Sequence, residues 1–332
     1  MMTLTTSYRC AVVFKTYSWD AFVERQAHRL AAAAGKLDFY VQIDETNGSV
    51  GPIPFERVQR FTCADLEASG LPMRFGLGGV LWWNPDYAHY QFQQHHPDYD
   101  YYVFVEYDCV VQCSIEELVG RAAAQGADLL ALPIARSFDT WHWRAYQHDV
   151  YERGEVKLAL LNVTLHSSAA LRLLRQRRVE MANASFGGWP SSEVFVPTET
   201  ARAGLNWLSL AAFGDVSRCD WFPPTLEENL NPSERAAFVH PVLDRRRYIV
   251  SVLNNAASLP PGGIKRALAG FPRAEYAKLL WPAARGRAER RVRHKILRWQ
   301  QQWAAWRAVR HEGAIRLPPR KVPSRKTLPG KA

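Results

Sequence analysis

No stretch of this chain approaches the ~18 consecutive apolar residues needed to cross a bilayer, so no spanning helix is expected. The first residues carry no basic region followed by an apolar core, and no secretory leader is expected either. Cysteine is scarce. Cys10, Cys63, Cys109, Cys113 and Cys219 are too few and too scattered for a disulfide framework. Cys109 and Cys113 have no second pair at ligand spacing, which argues against structural zinc. This usage fits a reducing cytoplasm. Neither G-x-G-x-x-G nor G-x-x-x-x-G-K-[ST] occurs, so a dinucleotide fingerprint and a P-loop are both unsupported. No internal repeat is present.

Basic residues are scarce in the body and abundant at the end. Residues 265–332 hold 19 Lys/Arg against 3 Asp/Glu, whereas 1–264 hold 23 against 29. The overall charge of +10 therefore joins a mildly acidic body to a strongly basic tail, and a polyanionic partner belongs to the tail. With 47% hydrophobic residues in 332, the chain can build one large core and a small appendage.

The body reads as strands alternating with helices. Strands are expected at 10–14, 38–43, 101–107, 128–132 and 157–165. Ser18 can cap a helix that ends at Gly35. Asn84-Pro85-Asp86 opens a helix that reaches about His95. Ser114-Ile115-Glu116-Glu117 is a capping box for a helix stopping at Gly126, and Ser167 or Ser168 opens another through about Arg177. This alternation predicts an α/β fold with a mostly parallel central sheet, whose ligands bind at the carboxyl ends of the strands. Trp82 and Trp83 read as core. Gly76-Leu77-Gly78-Gly79 reads as a flexible loop able to close over a ligand.

Tyr101-Tyr102-Val103-Phe104-Val105-Glu106-Tyr107-Asp108 carries the most chemistry. A buried apolar run ends in two carboxylates at i, i+2, which a continued strand would point the same way. Two like charges at a buried tip repel and are costly to desolvate. A divalent cation relieves that cost, and hard oxygen ligands suit Mg²⁺ or Mn²⁺. A pair of solvated carboxylates after an ordinary strand is the alternative.

In its order of elements the chain resembles the GT-A-fold glycosyltransferases, the nucleotide-diphospho-sugar transferases. The resemblance spans residues 8–250 in order and 82–108 in detail, through Trp82-Trp83-Asn84-Pro85-Asp86-Tyr87 and His96-Pro97-Asp98-Tyr99-Asp100-Tyr101-Tyr102. It implies a Rossmann-like fold and a D-x-D-type motif that holds a metal and the donor diphosphate. Here that motif is Glu106-Tyr107-Asp108. Its first acid is Glu where Asp is commoner, which makes Asp108 the safer ligand. Lys15, Thr16, Tyr17, Asp44 and Asn84 are then donor-side residues. Lys15 either offsets phosphate charge or is an ordinary surface lysine. A histidine after the sheet often completes the metal site in such enzymes, and His240 in Val239-His240-Pro241 is the counterpart; imidazole favours Mn²⁺ over Mg²⁺. The alternative is a histidine before a proline turn. Glu193, in Gly187-Gly188-Trp189-Pro190-Ser191-Ser192-Glu193, is the candidate base for the acceptor hydroxyl, with Asp139 as its competitor. An acid in the first turn of a helix can equally be a cap partner. Trp141-His142-Trp143 suits an acceptor sugar by stacking, or anchors a loop.

Residues 1–262 are thus expected to form the catalytic domain, 263–312 a basic helical segment and 313–332 a disordered basic tail. In the segment Val292, Ile296, Trp299, Trp303 and Trp306 recur at helical spacing among arginines and lysines. Such a helix lies on an anionic membrane, docks on the body, or forms a short coiled-coil seam. No recognition motif supports a specific nucleic-acid partner. The resulting expectation is a metal-dependent glycosyltransferase at the inner face of the cell membrane. Its donor would be a nucleotide-sugar, and its acceptor a saccharide or lipid-linked hydroxyl in cell-surface polysaccharide or glycolipid synthesis. A sugar nucleotidyltransferase of related fold and a non-enzymatic membrane scaffold are the alternatives.

Overall fold

The computed structural model describes residues 8–73, 79–135, 150–184, 188–231, 235–279 and 285. The basic segment from 286 onward, the stretch holding Asp139, Trp141, His142 and Trp143, and Gly76 to Gly78 lie outside the described residues.

Three elements open the chain. β1 (Cys10–Thr16) is buried throughout, α1 spans Ala21–Ala34, and β2 spans Asp38–Asp44. Asp20, not Ser18, caps α1: its carboxylate accepts from the amides of Phe22 and Val23, and a full charge suits the positive helix end better than a hydroxyl. Gly35 ends α1 at φ 62°, a left-handed position natural to glycine.

The next group runs β3 (Val58–Phe61), α2 (Cys63–Ala68), α3 (Val80–Trp83), α4 (Pro85–His95) and β4 (Tyr101–Glu106). α4 begins where expected, but the Asn84 side chain makes no capping bond. β5 (Val110–Val111), α5 (Ile115–Ala124), β6 (Leu129–Pro133), β7 (Ala159–Ser167) and α6 (Ser168–Asn183) follow. Ser114 caps α5 and Ser167 caps α6. The remainder holds α7 (Ser192–Arg202), β8 (Trp207–Ser209), β9 (Arg218–Cys219), β10 (Thr225–Leu226), β11 (Phe238–His240), β12 (Val242–Leu243), α8 (Arg245–Asn254) and α9 (Gly263–Ala267).

Seven strands form the main sheet in the order β3-β2-β1-β4-β7-β6-β8. All its pairings are parallel except those of β7, which runs antiparallel to both β4 and β6. The expected mostly parallel α/β sheet is therefore present, with one reversed strand inside it. Alternation along the strands sorts the core into two layers. Val12, Phe14, Val103 and Val105 pack with Phe22 and Leu30 of α1 and Leu118 of α5. Val13, Tyr102 and Phe104 face Leu66 of α2, Tyr87 and Phe92 of α4, Leu174 of α6 and Phe195 of α7. Trp83 joins the core at 2% exposure, whereas Trp82 is 62% exposed, against expectation: Val80 and Trp83, three residues apart, share the buried face of this short helix and Trp82 lies off it.

All five cysteines are free. No helix among the described residues is long and apolar enough to cross a membrane.

Candidate metal centre

β4 ends at Glu106, and Tyr107 and Asp108 belong to a turn closed by the Cys109 amide on the Glu106 carbonyl, 2.9 Å. The two acids therefore do not share a face by strand alternation, as expected; the turn brings them together. Directly after the turn, β5 pairs antiparallel with β11, Val110 opposite Val239. The Val242 amide then donates to the Asp108 carbonyl at 2.7 Å. These bonds on either side of His240 carry it to the acids from 132 residues away. One ligand atom each from Glu106, Asp108 and His240 lie within 4.8 Å of one another. Among the described residues this is the only such group.

His240 is oriented from behind. Its Nδ1 lies 2.7 Å from the Asp220 carbonyl oxygen, so Nδ1 carries the proton and donates. Nε2 then faces Asp108 Oδ1 at 3.6 Å and Glu106 Oε2 at 3.8 Å, too far for hydrogen bonds. Asp108 Oδ1 is buried and has no hydrogen-bond partner among the described residues. Burial alone would lower the His240 pKa, but the charges of Asp108 and Glu106 override it and push it up to about 9. Burial raises the Glu106 pKa; Lys15 opposes that rise, and Asp108 adds to it. Left to itself, the cluster holds extra protons. A carbonyl-oriented imidazole, two carboxylates and an unsatisfied buried oxygen are also what a divalent cation needs.

The other expected site residues fall into three groups. Tyr17 is 49% exposed, and its ring meets Tyr107 edge-on at 5.3 Å, with the two hydroxyls 3.2 Å apart. Asn84 is fully buried, and both its amide atoms lack a hydrogen-bond partner among the described residues. Three others are engaged with the protein. Thr16 Oγ1 donates to the Ser18 carbonyl. Asp44 Oδ1 accepts from the Thr46 amide and hydroxyl, and burial raises its pKa against those bonds. Lys15 is 1% exposed and turned inward, so its amine does not face an open phosphate site.

Glu193 lies in the first turn of α7, as expected. That turn is tied to the start of α4: Ser192 Oγ donates to Asp86 Oδ1, and the Asp86 amide donates to Ser192 Oγ at 3.3 Å. α4 runs antiparallel to β4, with His89 against Lys15 near the end of β1, so its N-terminus stands at the carboxyl edge of the sheet. Glu193 is therefore on the edge that holds Glu106. A cavity further along that edge is lined by Ile134, Lys157, Leu158, Trp207 and Ser209, and by none of the three cluster residues.

Arg178 and Asp86 form a second charged centre that was not anticipated. Both are wholly buried, with Nε 2.7 Å from Asp86 Oδ2 and Nη1 3.0 Å from the Pro190 carbonyl. The guanidinium lies 3.7 Å from the Phe195 ring centre and 5.1 Å from that of Trp189. One signal was available: Leu171, Leu174, Arg178 and Met181 recur at helical spacing, which places Arg178 on the apolar stripe of α6.

No family model and no curated protein matches the chain. Similar solved structures include the galactosyltransferase LgtC in complex with donor and acceptor sugar analogues. That likeness has 10% identity and a TM-score of 0.39, covering 69% of this chain and 86% of the other. An active-site mutant of LgtC has 9% identity and a TM-score of 0.38, covering 66% and 76%. A glycosyltransferase involved in glycosylation of the major capsid of PBCV-1 has 10% identity and a TM-score of 0.36, covering 70% and 92%.

Proposed function

We propose that the chain is a metal-dependent glycosyltransferase of the GT-A type. The observation that carries the reading is the meeting of Glu106, Asp108 and His240 at the carboxyl edge of the sheet, with an Asp108 oxygen buried and without a hydrogen bond among the described residues. These three residues would hold Mn²⁺ or Mg²⁺, the imidazole favouring Mn²⁺. The ion, when bound, supplies charge stabilisation for a leaving nucleoside diphosphate. Tyr17, packed on Tyr107 beside the cluster, offers an exposed ring to a donor base, and the amide of Asn84, buried at the start of α4, has unused hydrogen-bonding capacity among the described residues. Glu193 takes the proton of the acceptor hydroxyl, with Asp139 as the alternative base. Trp141, His142 and Trp143 are proposed to meet the acceptor, a saccharide or lipid-linked hydroxyl.

The loop after β1 weighs against a nucleotidyltransferase. Such enzymes need a glycine-rich, basic phosphate loop there. Here Lys15 is turned inward, and Thr16 to Asp20 contain neither glycine nor a basic residue. The basic segment 263–312 and the tail 313–332 are proposed to hold the enzyme on an anionic membrane, at the inner face of the cell membrane. Vesicles of anionic lipid should retain the full chain and release a chain cut after 282.

Nucleotide-sugars titrated into the protein with and without Mn²⁺ test the central reading. Wild type should bind one only with the ion, and Asp108→Ala should lose that binding while remaining folded. Equal affinity in Asp108→Ala excludes the metal role. Binding of no nucleotide-sugar favours the scaffold alternative. Glu193→Gln should then keep donor affinity and lower turnover by roughly 10²–10⁴-fold. A loss below about tenfold passes the role to Asp139.

A further inference from the structure

The proposed reaction leaves Lys15 without a task, although it is one of the largest fully buried side chains in the protein. Lys15 sits opposite Glu106 in the parallel pairing of β1 with β4. Its Nζ lies 3.8 Å from Glu106 Oε1 and 3.0 Å from His89 Nε2. His89 is itself fixed, stacked on Phe104 with ring centres 3.9 Å apart and planes 11° from parallel. The Glu106 carboxylate is thereby divided. Oε1 faces inward to the ammonium, while Oε2 faces His240 at 3.8 Å.

We propose that Lys15 sets the ion selectivity of the cluster by withholding one oxygen of Glu106. The argument rests on the reading of Glu106, Asp108 and His240 as a divalent-cation site. Ca²⁺ gathers six to eight oxygens and takes carboxylates through both oxygens, whereas Mg²⁺ demands six ligands at short, near-octahedral positions. A glutamate whose Oε1 faces a buried ammonium 3.8 Å away, as an ion pair, offers its other oxygen more readily, which suits the smaller, octahedral ions and disfavours Ca²⁺. His89 is a positioning residue in this arrangement: it anchors Nζ on the side away from the ion.

The test compares Mn²⁺ with Ca²⁺ by calorimetry on the full-length protein, as the ratio of their dissociation constants. Removing the lysine charge strengthens attraction for both ions alike, so the ratio reports ligand geometry rather than net charge. Wild type should favour Mn²⁺ strongly. Lys15→Met, nearly isosteric and apolar in a dry site, should lower the preference by about tenfold, with Ca²⁺ gaining most. A fall of less than about threefold overturns the proposal. Lys15→Gln carries the same expectation if Lys15→Met fails to fold. A wild type that takes Ca²⁺ as tightly as Mn²⁺ overturns it without any variant. A wild type that binds neither ion removes the cation site itself, a different failure from an unchanged ratio.

Discussion

Two charged centres lie along one edge of the same sheet, and they are finished to different degrees. Around Arg178 a single cation meets a single carboxylate, Asp86, and the pair is closed by Ser192, a backbone carbonyl and aromatic rings. Around Asp108 two carboxylates meet one imidazole and one inward lysine, the contacts are 3.6 to 3.8 Å, and Asp108 Oδ1 makes no hydrogen bond among the described residues. Burial forces the first kind of centre to pair its charges at hydrogen-bond distance, because an unpaired charge there has no water to fall back on, although Arg178 Nη2 still makes no hydrogen bond among the described residues. The second is partly exposed, and its charges face one another beyond hydrogen-bond distance. A closed centre fixes geometry. An open one of this composition suits the proposed cation.

The sharpest way to break the comparison is to open the closed centre. Arg178→Met leaves the Asp86 charge buried and alone and should cost about 3–5 kcal/mol in urea unfolding. Pairing it with Asp86→Leu should recover most of that loss, since an apolar replacement of both partners is often neutral. A single variant that costs under about 1 kcal/mol would show the pair to be dispensable.

A smaller effect comes from protons in the open centre. The folded-state pKa of His240, about 9, lies above its ordinary 6.5, so its contribution is fully present below 6.5 and is lost as pH rises towards 9. Metal-free stability should fall over that window by up to about 3 kcal/mol. Lys15 acts in the opposite direction, because burial lowers its pKa despite the Glu106 charge. His240→Gln separates the two: its stability should lack the downward part of the slope. Saturating Mn²⁺ should flatten the wild-type curve, since a ligating imidazole has already shed its proton from Nε2. A wild-type slope identical to that of His240→Gln would deny the cluster its excess protons.

The smallest effect carries the opposite sign to the first. Asp108→Asn removes both a repulsion of Glu106 and the charge that does most to hold the His240 proton, so at pH values above 9, where that proton is gone, metal-free stability should hold or rise by at most about 1 kcal/mol, while the stabilisation given by Mn²⁺ disappears. A clear loss of metal-free stability would make Asp108 a structural group like Asp86.

The open centre was more legible in the sequence than the closed one, and the reason is physical. Glu106 and Asp108 stand at the end of an unbroken apolar run, where carboxylates are conspicuous. Arg178 stands among Arg175, Gln176, Arg177 and Glu180, where one more charge attracts no notice unless the stripe through Leu171, Leu174 and Met181 is followed. The long strands and α1, α4 and α5 were readable from period and caps. β5, β9, β10, β11 and β12 were not, because two or three residues carry no period. Yet β5 and β11 are what deliver His240, so its place came only from a family resemblance. The direction of β7 was equally hidden, since alternation in a strand is the same read either way. Lys15 read either as a donor-side residue offsetting phosphate charge or as a surface lysine at a strand end; its burial depends on α4, which closes over it from 74 residues away.

The reversed strand also has a consequence for how the protein is made. Within the main sheet β6 touches only β7 and β8, and β7 is the bridge that joins β6 to β4. A ribosome that has released residues up to 158 has therefore delivered β1 to β4 with one side of β4 bare, and β6 with no partner in the sheet. Such edges recruit other chains. Nascent or truncated chains ending before β7 should be the ones that aggregate and engage chaperones, and release should begin only once residues 159–167 have left the exit tunnel.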